Sequence, residues 1–367
     1  MAHELNFRHG RAAMAYTGGR TPWHGLGFDM PAGASLDEWQ RAAQMDYEIY
    51  ETPAQYQTRD GVMRLFPKRK VLHRSDNHAP LGLVSDGYKT VQPSEIISFF
   101  RDLTEQSGFT METAGVLYDG QKYWALARCA PDAFVVDKRD SIKPYLLLTT
   151  SCDGTMATQA RLTTVAVVCQ NTLSMALAAG KPEVKINHRR KFNEAEVKAE
   201  LGISAHQAAA AFEETMDTFR SLAKAPLGGF DMVSLTLRAF GHDPAKMDAK
   251  QLKEAAESRG PLLVGTAAAT GQGLIGAHIP GRNPETAWGW LNAVTQYADH
   301  AVKARSPSHR LDSAWFGEGE RIKRRALDLA VEYVGTSGER IYTAQDEEEG
   351  GLSLLDDVLR ATVENAA

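Results

Sequence analysis

Between Gly115 and Leu177 the apolar positions fall in short alternating runs, each closed by turn residues. Val116–Tyr118 and Tyr123–Arg128 flank Asp119-Gly120, a dipeptide suited to the positive-φ turn of a tight hairpin. Phe134–Asp137 and Tyr145–Thr150 are joined through Lys138-Arg139-Asp140, and Asp153-Gly154 marks a further turn before the alternation of Met156–Leu162. The period then lengthens: Val165, Val168, Cys169, Leu173 and Leu177 recur every three to four residues and stop at Gly180, which predicts a helix. Four or five antiparallel strands followed by one helix are expected here.

The flanks are simpler. In 1–35 the glycine-rich run YTGGRTPWHGLGFDMPAG has no period and reads as a loop pinned by Trp23 and Leu26. Ser35 with Glu38 three residues on predicts a capping box and a helix start. Tyr47–Thr52 and Val62–Phe66, parted by Asp60-Gly61, are short strand candidates. Pro93–Gln106 is a helix with Ile96, Ile97, Phe100 and Leu103 on one face. Past Lys181–Lys191 the chain reads helical: Glu194–Ala223, Asp248–Arg259, an amphipathic Thr286–Ala304 and Glu320–Val334. The small-residue stretch GTAAATGQGLIGAHIPGRN between them reads as a loop. The tail carries an acidic run, Asp346–Glu349, then a short amphipathic helix. The predicted fold class is α+β, an antiparallel β-sheet with flanking helices (1–192), a helical C-terminal region (193–335) and an acidic tail (336–367).

Charge and cysteine content narrow the chemistry. The 367 residues carry a formal charge of −5, so any contact with a polyanion has to come from a local patch. The three cysteines make no metal-ligand spacing, and reduced thiols in a cytoplasmic protein are expected. No apolar run approaches the ~18 residues of a membrane span, and the N-terminus lacks a signal-peptide core. His73, Asp76 and His78 lie close in sequence, and with Asp153 they are the metal-dependent hydrolase or nuclease alternative. Ser151-Cys152 has no general base at a recognisable spacing. GTAAATGQG lacks the Lys-Ser/Thr ending of a phosphate loop, and no cofactor is called for.

The cations offer more. Lys122, Arg128, Lys138, Arg139, Lys143 and Arg161 are interleaved with Tyr123, Trp124 and Tyr145, and Arg189-Arg190-Lys191 follows. Spaced cations with stacking aromatics are what a single-stranded nucleic acid needs. Each also has the plain alternative of a solvated charge or a core aromatic. The expected DNA-binding residues are therefore Lys122, Tyr123, Trp124, Arg128, Lys138, Arg139, Lys143, Arg161, Arg189, Arg190 and Lys191.

Four motifs in order carry a family resemblance: Pro22-Trp23-His24-Gly25-Leu26-Gly27, Gly87-Tyr88-Lys89-Thr90-Val91-Gln92, Asp153-Gly154 leading to Val167–Leu173, and Thr286–His300. They resemble a phage/plasmid-like family of unknown function (DUF932 type) over roughly residues 20–334. Cys152 stands where the family often has histidine, and Ala166 where it often has arginine. The resemblance implies a mobile-element setting, and the hairpins followed by a helix are similar to the core of single-strand annealing proteins, the Red-beta and Rad-fifty-two-like groups. What this implies is a homo-oligomer, ring or filament, holding single-stranded DNA in a basic groove, with a single-strand binding protein as a possible partner and no membrane association. An interaction module working on a host system through the C-terminal helices is the remaining alternative.

Overall fold

Alternation along Thr110–Ala166 builds the main sheet, because successive side chains of a strand point to opposite faces and both faces here are covered. The computed structural model describes residues 7–8, 11–17, 27–31, 33–130, 133–137, 140–166, 172–174, 184–201, 205–227, 229–248, 250–251, 254, 285–302 and 305–335. The strands are β1 (Phe7–Arg8), β2 (Arg11–Ala12), β3 (Met14–Thr17), β4 (Phe28–Met30), β5 (Ile49–Gln57), β6 (Met63–Arg74), β7 (Pro80–Ser85), β8 (Thr110–Leu117), β9 (Lys122–Arg128), β10 (Phe134–Asp137), β11 (Asp140–Ser151), β12 (Thr158–Ala166), β13 (Thr172–Ser174) and β14 (Val184–Ile186). The helices are α1 (Leu36–Ala42), α2 (Pro93–Ser107), α3 (Glu194–Leu201), α4 (Ala205–Lys224), α5 (Gly229–Ala239), α6 (Ala287–Gln296), α7 (Pro307–Phe316) and α8 (Glu318–Gly335).

The main sheet runs β13-β12-β11-β9-β8-β3-β4, with β10 added to β11 and β14 to β12. Its pairings are antiparallel except for the parallel β3–β4 edge. A separate sheet, β5-β6-β7, stands beside it. The protein is α+β, with antiparallel strands, flanking helices and helices towards the C-terminus.

One face of the main sheet presents Tyr123, Ala125, Ala127, Leu146 and Leu148 to α2, whose Ile96, Ile97, Phe99 and Phe100 are fully buried. The capping box of Ser35 and Glu38 forms as the sequence predicts, with Ser35 N–H donating to Glu38 Oε2 at 2.7 Å. Gln92, the N-cap of α2, ties that helix to the second sheet: its side chain accepts from Ile49 N–H at 2.8 Å and donates to Ile49 C=O at 3.1 Å.

Two local expectations change. Among the described residues strand replaces the helix expected from Val165: β12 continues to Ala166 and Thr172–Ser174 pairs with it as β13. Thr163, Thr164 and Val165 form a β-branched run, which favours the pleat over the helix despite the apolar spacing. The stretch beginning at Thr286 is not amphipathic, since every residue of α6 is buried. It is wedged among α4, α5, α8 and the sheet, with Trp288 Nε1–H donating to Asp140 at 2.6 Å and Trp290 Nε1–H to Thr236 at 2.9 Å. Its buried polar members Asn292 and Thr295 are satisfied inside the helix, donating to the Trp288 and Leu291 carbonyls at 2.9 and 2.7 Å.

Residues 167–171 and 175–183 lie outside the described residues, as do the loop around Trp23, most of Asp248–Arg259, the small-residue stretch after it and the acidic tail. No described helix is long and apolar enough to cross a membrane.

Candidate binding cleft

The pleat does bring several of the expected DNA-binding residues onto one face. Lys122, Trp124 and Arg128 alternate along β9, Tyr145 is the register partner of Arg128, and Arg161 is the partner of Leu147. That face is roofed. Trp315 of α7 meets Trp124 edge-on at 4.7 Å, burying both. Asp312, also of α7, takes Lys122 at 2.5 Å, and Glu320 of α8 takes Arg161 at 3.5 Å. Arg161 also donates to the Trp315 carbonyl and is 4 % exposed. Arg128 faces Glu112 at 3.6 Å. Tyr123 points to the opposite face, fully buried, its hydroxyl donating to the Val91 carbonyl.

The expectation that Lys122, Tyr123, Trp124, Arg128 and Arg161 meet DNA is therefore corrected. Four of these five side chains are buried, and the cations already have carboxylates as counter-ions. Stripping a buried cation of its partner costs about 3–5 kcal/mol, more than one phosphate contact returns. Lys143 is half-buried, with no acid partner among the described residues. Lys138 and Arg139 lie outside the described residues.

The metal alternative also fails on geometry. Among the described residues no three His, Cys, Asp or Glu side chains are placed to hold a metal ion. Asp76 instead clamps Arg74 through two bonds of 2.9 Å, and the His73 and His78 rings are 6.2 Å apart.

The remaining expected cations lead elsewhere. Arg189, Arg190 and Lys191 follow β14, and Arg189 lines an open cleft of about 270 Å³ together with Ser85, Tyr88, Gly154, Met156 and His188. Three chain segments meet there. Tyr88 and His188 stack at 4.4 Å, nearly parallel. His188 Nδ1 is 3.0 Å from the Lys89 carbonyl, and Nε2 is 3.1 Å from the Met156 carbonyl. Lys89 N–H donates to the His188 carbonyl at 2.6 Å, and Tyr88 O–H to the Ser151 carbonyl at 2.7 Å.

The Asp153-Gly154 turn closes the third side. Asp153 Oδ1 accepts from the Thr155 N–H and hydroxyl, and Gly154 takes a left-handed φ of 81°. Gly82 of β7 passes so close that a Cβ there would sit 2.7 Å from Asp153 Cα. Two of the motifs that carry the family resemblance, Gly87–Gln92 and Asp153-Gly154, thus become neighbours.

Burial sets the protonation states of the groups lining the cleft. Burial lowers the His188 pKa, opposed by its hydrogen bonds to the two carbonyls and by Asp153. Burial raises the Tyr88 hydroxyl and the Cys152 thiol far above their ordinary values, so neither supplies an anion at neutral pH. At the rim, Lys89, Arg189 and Lys191 are exposed and have no ion-pair partner among the described residues, while Arg190 pairs with Glu196 at 2.6 Å. Arg69 joins them, because its register partner is Ser85, and Lys68 C=O accepts from Asp86 N–H at 3.3 Å. Asp86 is an exposed acid beside them, and Glu51, paired with Lys70, lies near enough to Lys89 to be influenced by its charge.

Of the cations expected from sequence, Arg189 lines the cleft, while nothing in the sequence grouped Lys68, Arg69, Lys89, Tyr88 and His188 with it. The signal within reach was the density of cations in Arg64–Arg74; nothing in the pattern paired that run with Tyr88 or His188.

A family model described as a domain of unknown function (DUF932) matches residues 80–315, more than half of the chain, and the chain belongs to that family. The cleft residues from Ser85 to Arg189 lie within the match, whereas β5 and β6 precede it. No curated protein and no solved structure matches the chain.

Proposed function

We propose that this DUF932 protein binds single-stranded DNA across the cleft and works by binding, without covalent chemistry, as an annealing protein of a phage or plasmid. The carrying observation is the convergence of Arg69, Lys89 and Arg189, drawn from three segments, at the rim of one open cleft, with Lys191 two residues beyond Arg189. A protein of net charge −5 that gathers exposed cations in one place, outside ion pairs, has a surface suited to a polyanion. Phosphates would sit on the rim and leave the bases outward for pairing. A ring or filament of subunits would continue the track from one cleft to the next. The mobile-element setting rests on the motif resemblance.

The test is anisotropy of a labelled oligothymidylate titrated with protein at several salt concentrations. Binding is expected to weaken with salt, with a log–log slope of about −0.7 for each phosphate contacted. Lys89→Ala/Arg189→Ala should make that slope shallower. Binding that is absent at low salt, or indifferent to salt, would remove the reading.

A further inference from the structure

The hairpin of β5 and β6 extends beyond the cleft rim as an arm. Its base is anchored by Ile49, Leu72 and Arg74, all buried. Towards the tip the side chains of Gln55–Gln57 and Gly61–Arg69 are exposed on both faces of the ribbon. The exposed groups there include Tyr56 at 46 %, Leu65 at 64 % and Phe66 at 48 %. Tyr56 and Phe66 are uncovered on one face and Met63 and Leu65 on the other, and soluble proteins leave large apolar groups gathered in this way where something docks.

The arm is built to a definite shape. Between Pro53↔Lys70 and Gln55↔Leu65 the register jumps, so β6 bulges through Phe66, Pro67, Lys68 and Arg69. Pro67 contributes no ladder donor, and Lys68 takes a left-handed φ of 56°. The bulge sits where the arm leaves the cleft, since Arg69 pairs with Ser85. Beyond it Tyr56 and Phe66 meet edge-on at 6.3 Å, and Arg64, the register partner of Tyr56, shares their face.

We infer that this arm is a base-stacking element for single-stranded nucleic acid, with Tyr56 and Phe66 taking unpaired bases and Arg64, Lys68 and Arg69 the phosphates between them. Charge selects this occupant over a second copy of the chain. Within 56–70 the cations Arg59, Arg64, Lys68, Arg69 and Lys70 have only Asp60 as an acid, and among the described residues Lys70 alone of the five is paired, to Glu51 at 2.7 Å. An isologous contact would lay this patch against itself and bring like charges together. A polyanion with π faces meets both its features at once. The inference rests on the proposed function and adds the part of that site which reads bases.

The test compares wild type with Tyr56→Ala/Phe66→Ala and with Lys89→Ala/Arg189→Ala, each as the full chain, on labelled oligothymidylate and on a duplex of equal length. The aromatic double variant should lose at least about fivefold in affinity for the single strand per aromatic removed, with the salt slope unchanged, because stacking releases no counter-ions. Its loss on the duplex should be small. Tyr56→Trp/Phe66→Trp should restore binding, and circular dichroism of both variants should match wild type. If the aromatic variant binds as wild type while the rim variant loses affinity, the arm inference is wrong and the proposed function survives. If wild type binds neither strand, the proposed function fails. If the aromatic variant changes the mass of the assembly by light scattering, the arm is a contact between copies and the inference is overturned.

Discussion

Two groups of cations in this molecule look alike in sequence and behave oppositely in the fold. Lys122, Arg128 and Arg161 lie on a sheet face covered by α7 and α8, each beside a carboxylate. Arg69, Lys89 and Arg189 lie round an open cleft, with Lys191 two residues beyond, and none of the four forms an ion pair among the described residues. The difference is made far away in sequence: Asp312 and Glu320 come from helices more than 150 residues beyond the strands they neutralise. A buried cation holds helices to the sheet; an exposed one is free to meet a ligand. Density of basic residues along a chain cannot separate the two.

The comparison can be broken most forcefully at the covered face. Glu320→Ala leaves the Arg161 guanidinium buried without its carboxylate and should cost about 3–5 kcal/mol, read as a fall in the urea midpoint. A loss below about 1 kcal/mol would mean that the roof is loose and Arg161 reaches solvent.

A smaller effect is expected where the cleft closes. Gly82→Ala places a Cβ against the Asp153 backbone and should destabilise by about 1–3 kcal/mol while altering oligonucleotide binding. An unchanged melting temperature together with unchanged affinity would show that β7 does not hold the cleft in shape.

His188 supplies a pH dependence. Burial lowers its folded pKa below the unfolded value, so between the two the unfolded chain binds more protons. The stability it contributes is complete above the unfolded pKa of about 6.5 and is lost as pH falls towards the folded value. The urea midpoint should therefore drop from pH 7.5 to pH 5.5, and His188→Gln should flatten that part of the profile. A drop of equal size in the variant would assign it to other groups.

The smallest stability effect belongs to the rim. Arg189→Ala should leave the urea midpoint within about 0.5 kcal/mol of wild type, as expected for a solvated side chain. A larger change would mean that Arg189 is part of the fold.

Much of the architecture was legible because it is local. The Ser35–Glu38 box, the Asp119-Gly120 turn and the alternation of Tyr123–Arg128 all depend on neighbours in sequence, and they form as expected. Val165–Leu177 misled because apolar spacing alone does not distinguish a buried strand from a helix; the β-branched run Thr163–Val165 was the better guide. The two long strands β5 and β6 read only as the short candidates Tyr47–Thr52 and Val62–Phe66, because the stretch from Pro53 to Lys70 lacks alternation. That lack is itself the sign of a ribbon exposed on both faces. Tyr88 and His188 were out of reach, since their stacking joins segments about a hundred residues apart.

The most direct test of the central claim is the salt slope of oligothymidylate binding for Lys89→Ala/Arg189→Ala/Lys191→Ala against wild type. If all three cations neutralise phosphates, the slope should become shallower by about 2, at ~0.7 for each phosphate released. A slope equal to that of wild type, with affinity intact, would contradict the assignment of the binding surface to the cleft rim.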